Sequence, residues 1–130
     1  MVAAPIKRVF SGAPWEETIS YCRAIQSGPF VAVSGTTSMK DGAVFGAGDS
    51  SAQTTRCLEI IEEALKQLGL TRANIIRTRM FVTDITLWEK FGRAHGEFFH
   101  GHPPATSMIG VKSLISPELL NEIEADAVAP

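Results

Sequence analysis

The sequence predicts an α+β fold: one mixed β-sheet with two helices on one face. Three observations carry that prediction. Apolar residues between Cys57 and Leu68 recur at a helical period; residues 75–84, IIRTRMFVTD, read as one long strand; and residues 121–128, NEIEADAV, alternate acidic or polar with apolar side chains at a period of two. Strands, helix, strand, helix, strands is the order of a two-layer sandwich rather than of repeated βαβ units.

Residues 28–35, GPFVAVSG, form the first strand, an apolar run bounded by Gly28-Pro29 and Ser34-Gly35. Lys40-Asp41-Gly42 is a turn leading to a brief strand at 43–45. In the first helix Cys57, Ile60, Ile61, Ala64, Leu65 and Leu68 share one face, and Glu62 to Lys66 is a favourable i,i+4 pair. Ser50 with Gln53 predicts a capping box, and Gly69 a C-terminal cap.

After the strand at 75–84, Thr86 with Glu89 predicts a second capping box. Trp88, Phe91, His95 and Phe98 are the expected core face of the helix it opens, with Phe99 alongside. Gly92 and Gly96 weaken that helix by about 1 kcal/mol each relative to alanine, but permit close packing. His102-Pro103-Pro104 stops it. Residues 107–111 are a strand, Ser116-Pro117-Glu118 starts a short turn or helical piece, and 121–128 are the last strand.

The 130 residues fit one domain, 1–130, large enough for a core without metal or disulfide staples. A net charge of −2 with no dense basic stretch argues against a nucleic-acid partner. No apolar run approaches the length of a membrane span, and the first ten residues lack a signal-peptide apolar region. Cys22 and Cys57 lie far apart and near no histidine pair, which suits two free thiols in a reducing cytoplasm. Phosphate-loop and metal-ligand spacings are absent, so no cofactor is expected.

If both helices cover one face of the sheet, Ile123, Ala125 and Ala127 point toward them and Glu122, Glu124 and Asp126 point away. A solvated outer face is the simplest reading of those acids. The other strands speak against it: Met80, Phe81, Val82, Met108, Ile109 and Val111 would leave too much apolar surface on a monomer. The expectation is a homo-oligomer in which bare sheet faces pack together. Arg77 and Arg79 are then expected beside Glu124 and Asp126, since a buried unpaired charge is expensive. Glu122, nearest the strand end, is the acid free to line a pocket.

Tyr21, the VSG turn at 33–35, the long helix, MFVTD (80–84), PPATSM (103–108) and EIEADAV (122–128) together resemble the reactive intermediate deaminase family, the RidA or YjgF proteins. The similarity covers nearly the whole chain, through the order and spacing of these segments. It implies a chorismate-mutase-like sandwich and a homotrimer with a central β-barrel, helices outside, and pockets in the clefts between subunits. Active members hydrolyse enamines and imines to carbonyl compounds and ammonia, without metal or organic cofactor. Glu122 matches the acid that positions the attacking water; Tyr21, Ser34 and Gly35 match the pocket wall. The arginine that grips a substrate carboxylate is replaced by Thr106, with Ser107 beside it, and a family asparagine aligns with Gly92. Arg23 and Arg93 are the charges that could substitute for the lost arginine.

Each site residue also has a plainer reading. Glu122 could be a solvated strand acid, Tyr21 a cap on the sheet edge, Ser34-Gly35 a strand-end turn, and Thr106 and Ser107 β-tolerant residues opening a strand. His95 reads as a satisfied core histidine rather than a catalytic one. Three functions follow: an imine or enamine deaminase, with Glu122 catalytic and Tyr21, Ser34, Gly35, Thr106 and Ser107 binding substrate; a non-catalytic trimer binding small metabolites in the same clefts, which the missing arginine favours; and, weakest, a ribonuclease or translation inhibitor.

Overall fold

The computed structural model describes residues 5–130; the expectation about the chain start falls outside it for residues 1–4. The elements are β1 (Ile6–Val9), α1 (Pro14–Ile19), β2 (Ala24–Ser27), β3 (Phe30–Thr37), β4 (Met39–Lys40), β5 (Ala43–Val44), α2 (Ser50–Lys66), β6 (Ile75–Val82), α3 (Trp88–Phe98), β7 (Ala105–Gly110) and β8 (Asn121–Val128). Six strands form one sheet in the order β1-β2-β3-β8-β6-β7, all neighbours antiparallel except the parallel β6–β7 pair. The α+β prediction with a mixed sheet holds. No helix among the described residues is long and apolar enough to cross a membrane.

The core is the layer between the sheet and α2 with α3. Val31, Val33, Met80, Val82, Ile123, Ala125 and Ala127 meet Cys57, Leu58, Ile61, Leu65, Phe91 and Phe98, all nearly or fully buried. Period-2 alternation in β8 thus places every second residue in the core, as its sequence dictates. In α2 the buried stripe runs through Leu58 and Ile61, while Ile60 and Leu68 are only half-buried, so the helix is rolled slightly from its expected orientation.

Several sequence expectations need correction. Two strands, β1 and β2, and the short α1 were not foreseen. The first helix is capped by Asp49, whose carboxylate accepts from the Ala52 amide at 3.0 Å, not by a Ser50–Gln53 box. Gln53 is fully buried instead and ties Gly46 and Glu118 carbonyls to the Leu120 amide. Thr86 does not open a capping box: Asp84 caps a 3-10 turn over Ile85–Leu87, and α3 begins at Trp88. Trp88 is not core; it is 57% exposed, while Phe91 and Phe98 are buried as expected. Strand bounds also move: the strand read as 75–84 ends at Val82, and that read as 107–111 is Ala105–Gly110.

On the far side of the sheet, Arg79 sits between Glu124 at 3.3 Å and Asp126 at 3.2 Å. Arg77 stands opposite Asp126 in register, but among the described residues the ion pairs to both acids come from Arg79. One cation therefore balances two of the three acids, and Glu122 is left over.

Candidate functional site

Glu122 is placed by its neighbours in sequence. Just before it, Leu119 and Asn121 are buried; Asn121 donates to the Thr54 hydroxyl at 2.9 Å, and its carbonyl accepts from the Cys57 thiol at 3.7 Å. With Gln53 gripping residues 118 and 120, α2 fixes the start of β8 through buried polar contacts. Glu122 then points to the side of the sheet away from the helices, half-buried between Thr37 of β3 and Phe81 of β6.

A β-bulge makes room for it. Val33 pairs with Ala125 and Thr36 with Ile123, so β3 carries one residue more than β8 between those pairs. The extra residue lies in Ser34-Gly35. Thr36 Oγ1 donates to the Ser34 carbonyl at 2.8 Å, and Ser34 Oγ donates to the Cys22 carbonyl at 2.7 Å. A Cβ at Gly35 would overlap Glu122 Oε2, so glycine is what lets the carboxylate lie against the strand.

Arg23 completes this cluster. Its Nη2 donates to the Gly35 carbonyl at 2.7 Å, and its guanidinium lies 5.8 Å from the centre of the Tyr21 ring. Tyr21 is held in turn by α1: its amide donates to the Glu16 carbonyl at 3.0 Å. Burial works against the Glu16 carboxylate, but hydrogen bonds from Ser11 and Gly12 outweigh it and hold its pKa below the ordinary value. The Glu122 pKa moves the other way. Burial raises it, Glu124 adds to the rise, and Arg23 opposes it without cancelling it. Burial also raises the Cys57 thiol to about 12, which makes it an inert core group.

The structure therefore brings Tyr21, Ser34, Gly35 and Glu122 together. It does not bring Thr106 to them within one chain. Thr106 lies on the edge strand β7, two strands from β8, and faces the opposite side of the sheet. Its Oγ1 accepts from Thr78 Oγ1 at 2.7 Å, and Thr78 Oγ1 is 2.8 Å from His95 Nε2. Thr78 is fully buried, His95 is 8% exposed, and Thr106 is open to solvent. Burial lowers the His95 pKa, and the Phe99 ring packs 4.6 Å from its own. Ser107 lies on the Glu122 side, but in register with Arg79 and Glu124 rather than with Glu122. Arg93 is an exposed residue of α3 paired with Glu89 at 3.3 Å, so Arg23 is the cation of the Glu122 cluster.

The contacts of Thr78 and Arg23 to this region were not read from the sequence. Thr78 gives no signal beyond strand alternation. For Arg23 the sequence offered only a charge that could stand in for the missing arginine; its aim toward Gly35 depends on the pairing of β2 with β3.

A family model described as Endoribonuclease L-PSP matches residues 13–129. An uncharacterised protein of Streptomyces coelicolor is 35% identical over 127 residues, which is 98% of this chain and 95% of that protein. Among solved structures, the Mycobacterium tuberculosis protein Rv2704, described as a member of the YjgF/YER057c/UK114 family, superposes with a TM-score of 0.87 at 44% identity, over 96% of this chain and all of that one. The Rid-family protein YyfA of Yersinia pestis gives 0.84 at 25% identity, over 96% of this chain and 100% of its own.

Proposed function

The chain belongs to the endoribonuclease L-PSP family, the YjgF/Rid proteins, and from that premise we propose that it is a metal-independent enamine or imine deaminase. Water adds to the C=N carbon of a small reactive imine, and the product is a carbonyl compound and ammonia. Glu122 takes a proton from the attacking water and passes it to the imine nitrogen, then carries the proton of the resulting carbinolamine hydroxyl to the same nitrogen, so that the C–N bond breaks with ammonia leaving as the carbonyl forms. The observation that carries this reading is the environment of that carboxylate: pressed against Gly35, half-buried, its pKa raised by burial while Arg23 holds it in range. A carboxyl group shifted toward neutrality is a better proton shuttle than one at its ordinary value.

The working pocket forms between copies in a homotrimer. One copy supplies Tyr21, Ser34, Gly35 and Glu122; the edge strand of its neighbour supplies Thr106 and Ser107. Small metabolites are the partners, in the cytoplasm, and neither nucleic acid nor membrane is required. A net charge of −2 speaks against the ribonuclease reading that the family description carries.

One observation favours a second reading, a trimer that binds metabolites without chemistry. Thr106 has no charge to grip a carboxylate, and Arg23 already serves the Gly35 carbonyl. Charge-assisted bonds are roughly twice as strong as neutral ones, so 2-aminoacrylate would be held weakly. The test is ammonia release from imines generated in situ, one bearing a carboxylate and one an amide. Turnover above the buffer rate that disappears in Glu122→Gln supports the deaminase. Binding of the parent keto compounds with no turnover of either imine leaves the binding protein.

A further inference from the structure

The row His95–Thr78–Thr106 runs from the core between sheet and α3 to the open edge of β7. It lies on the other side of the sheet from Glu122 and plays no part in the water chemistry assigned to that carboxylate. Each threonine hydroxyl has one proton to donate and lone pairs to accept with. With Thr78 Oγ1 donating to Thr106 Oγ1, Thr78 accepts from His95 Nε2 and the ring proton lies on Nε2; the reverse sense of the row would put that proton on Nδ1. The proton of the Thr106 hydroxyl is then uncommitted and faces outward. Hydrogen bonds aligned head to tail in this way polarise one another, and the buried end of the row is dry.

We propose that His95 and Thr78 are positioning residues that orient and polarise the Thr106 hydroxyl, making it a single neutral hydrogen-bond donor for the carbonyl or imine group of an uncharged ligand rather than a clamp for an anion. This rests on the reading of Thr106 as part of the pocket and names the substrate class of that pocket: amide- or ester-like imines. The geometry supports the choice. A buried neutral ring at the inner end offers no charge to a carboxylate, and the row provides one donor where a bidentate grip would need two. Burial keeps that ring neutral by lowering its pKa.

The test uses the intact protein labelled with ¹⁵N at histidine, with pyruvamide and pyruvate as neutral and anionic probes. In the wild type the His95 Nε2 resonance is that of a protonated nitrogen, and pyruvamide shifts it. Thr106→Val, on an exposed edge and harmless to the core, frees the Thr78 proton to turn toward the ring. The expected result is transfer of the ring proton to Nδ1 and pyruvamide binding weakened roughly three- to tenfold, the worth of one neutral hydrogen bond. Thr106→Ser and Thr78→Ser keep both signatures. A purely structural histidine would show neither the change of tautomer nor the rescue.

The proposal is overturned if His95 ring resonances are the same in Thr106→Val and Thr106→Ser, if the wild type prefers pyruvate, or if it binds neither probe. Imine turnover that depends on Glu122 but ignores Thr106→Val would sink the relay and leave the deaminase standing. Pyruvamide binding reported at His95, with no turnover of any imine, would do the opposite.

Discussion

A carboxylate that the fold prefers to protonate is less comfortable charged than neutral. The Glu122 pKa is raised, so its favourable contribution to stability is fully present at pH below its ordinary value of 4.5 and is lost as pH rises through the folded pKa. Glu122→Gln is therefore expected to melt higher than the wild type at pH 7, with the gap closing as pH falls toward 4.5; thermal melts across that range check the sign. The same variant should lose imine turnover by about a hundredfold or more, the usual worth of a positioned acid–base group. Gly35→Ala separates position from chemistry. Its Cβ would displace the mobile end of Glu122 rather than backbone, so stability should fall by only about 1 kcal/mol. Activity should fall by roughly a hundredfold if the carboxylate moves by about 1 Å. Comparing kcat with the melting temperature of this variant distinguishes the two effects.

Elements differ in how openly they declare themselves. Asp49→Ala should destabilise α2 by about 1 kcal/mol, because the carboxylate caps the Ala52 amide, and chemical denaturation measures it. The sequence pointed to Ser50 for that role since Gln53 follows it at the right spacing. No such box forms because Gln53 is spent on Gly46, Glu118 and Leu120, contacts as far as 67 residues away that no local pattern contains. Long periodic segments, α2 and β8 above all, were legible because burial on one face writes itself into the period. β1 and β2 were not: IKRV and AIQS are four residues each, and Ile6, Lys7 and Arg8 are exposed on a sheet edge. Trp88 was misplaced because α3 starts later than its expected cap, leaving the ring on the outer side of the first turn. Within β6, Arg79→Met should cost about 1 kcal/mol at low salt and less at high salt, since Glu124 and Asp126 then repel unopposed; the salt dependence of unfolding is the readout.

At the scale of the whole molecule, the open question of the sheet is what covers its second face. Glu122, Glu124, Asp126, Arg79 and Phe81 are each only half-buried there, and Ile109 is 42% exposed. Analytical ultracentrifugation is expected to give the mass of three chains, and a monomer would remove the shared pocket altogether. The grouping of Tyr21, Ser34, Gly35 and Glu122 expected from the sequence is a cluster in the fold, but the sequence did not show that one chain turns Thr106 to the opposite side of the sheet, because that depends on which strands neighbour each other. The bulge in β3 has one more consequence. Upstream of it the odd-numbered Val31 and Val33 are inside; downstream the even-numbered Thr36 is. The change of parity is absorbed by the one extra residue, so losing a residue at this point would straighten the ladder rather than invert it. Val33 and Thr36 would keep their faces, but if Gly35 were the residue lost, Ser34 alone would stand opposite Glu124 and the recess that admits the Glu122 carboxylate would close.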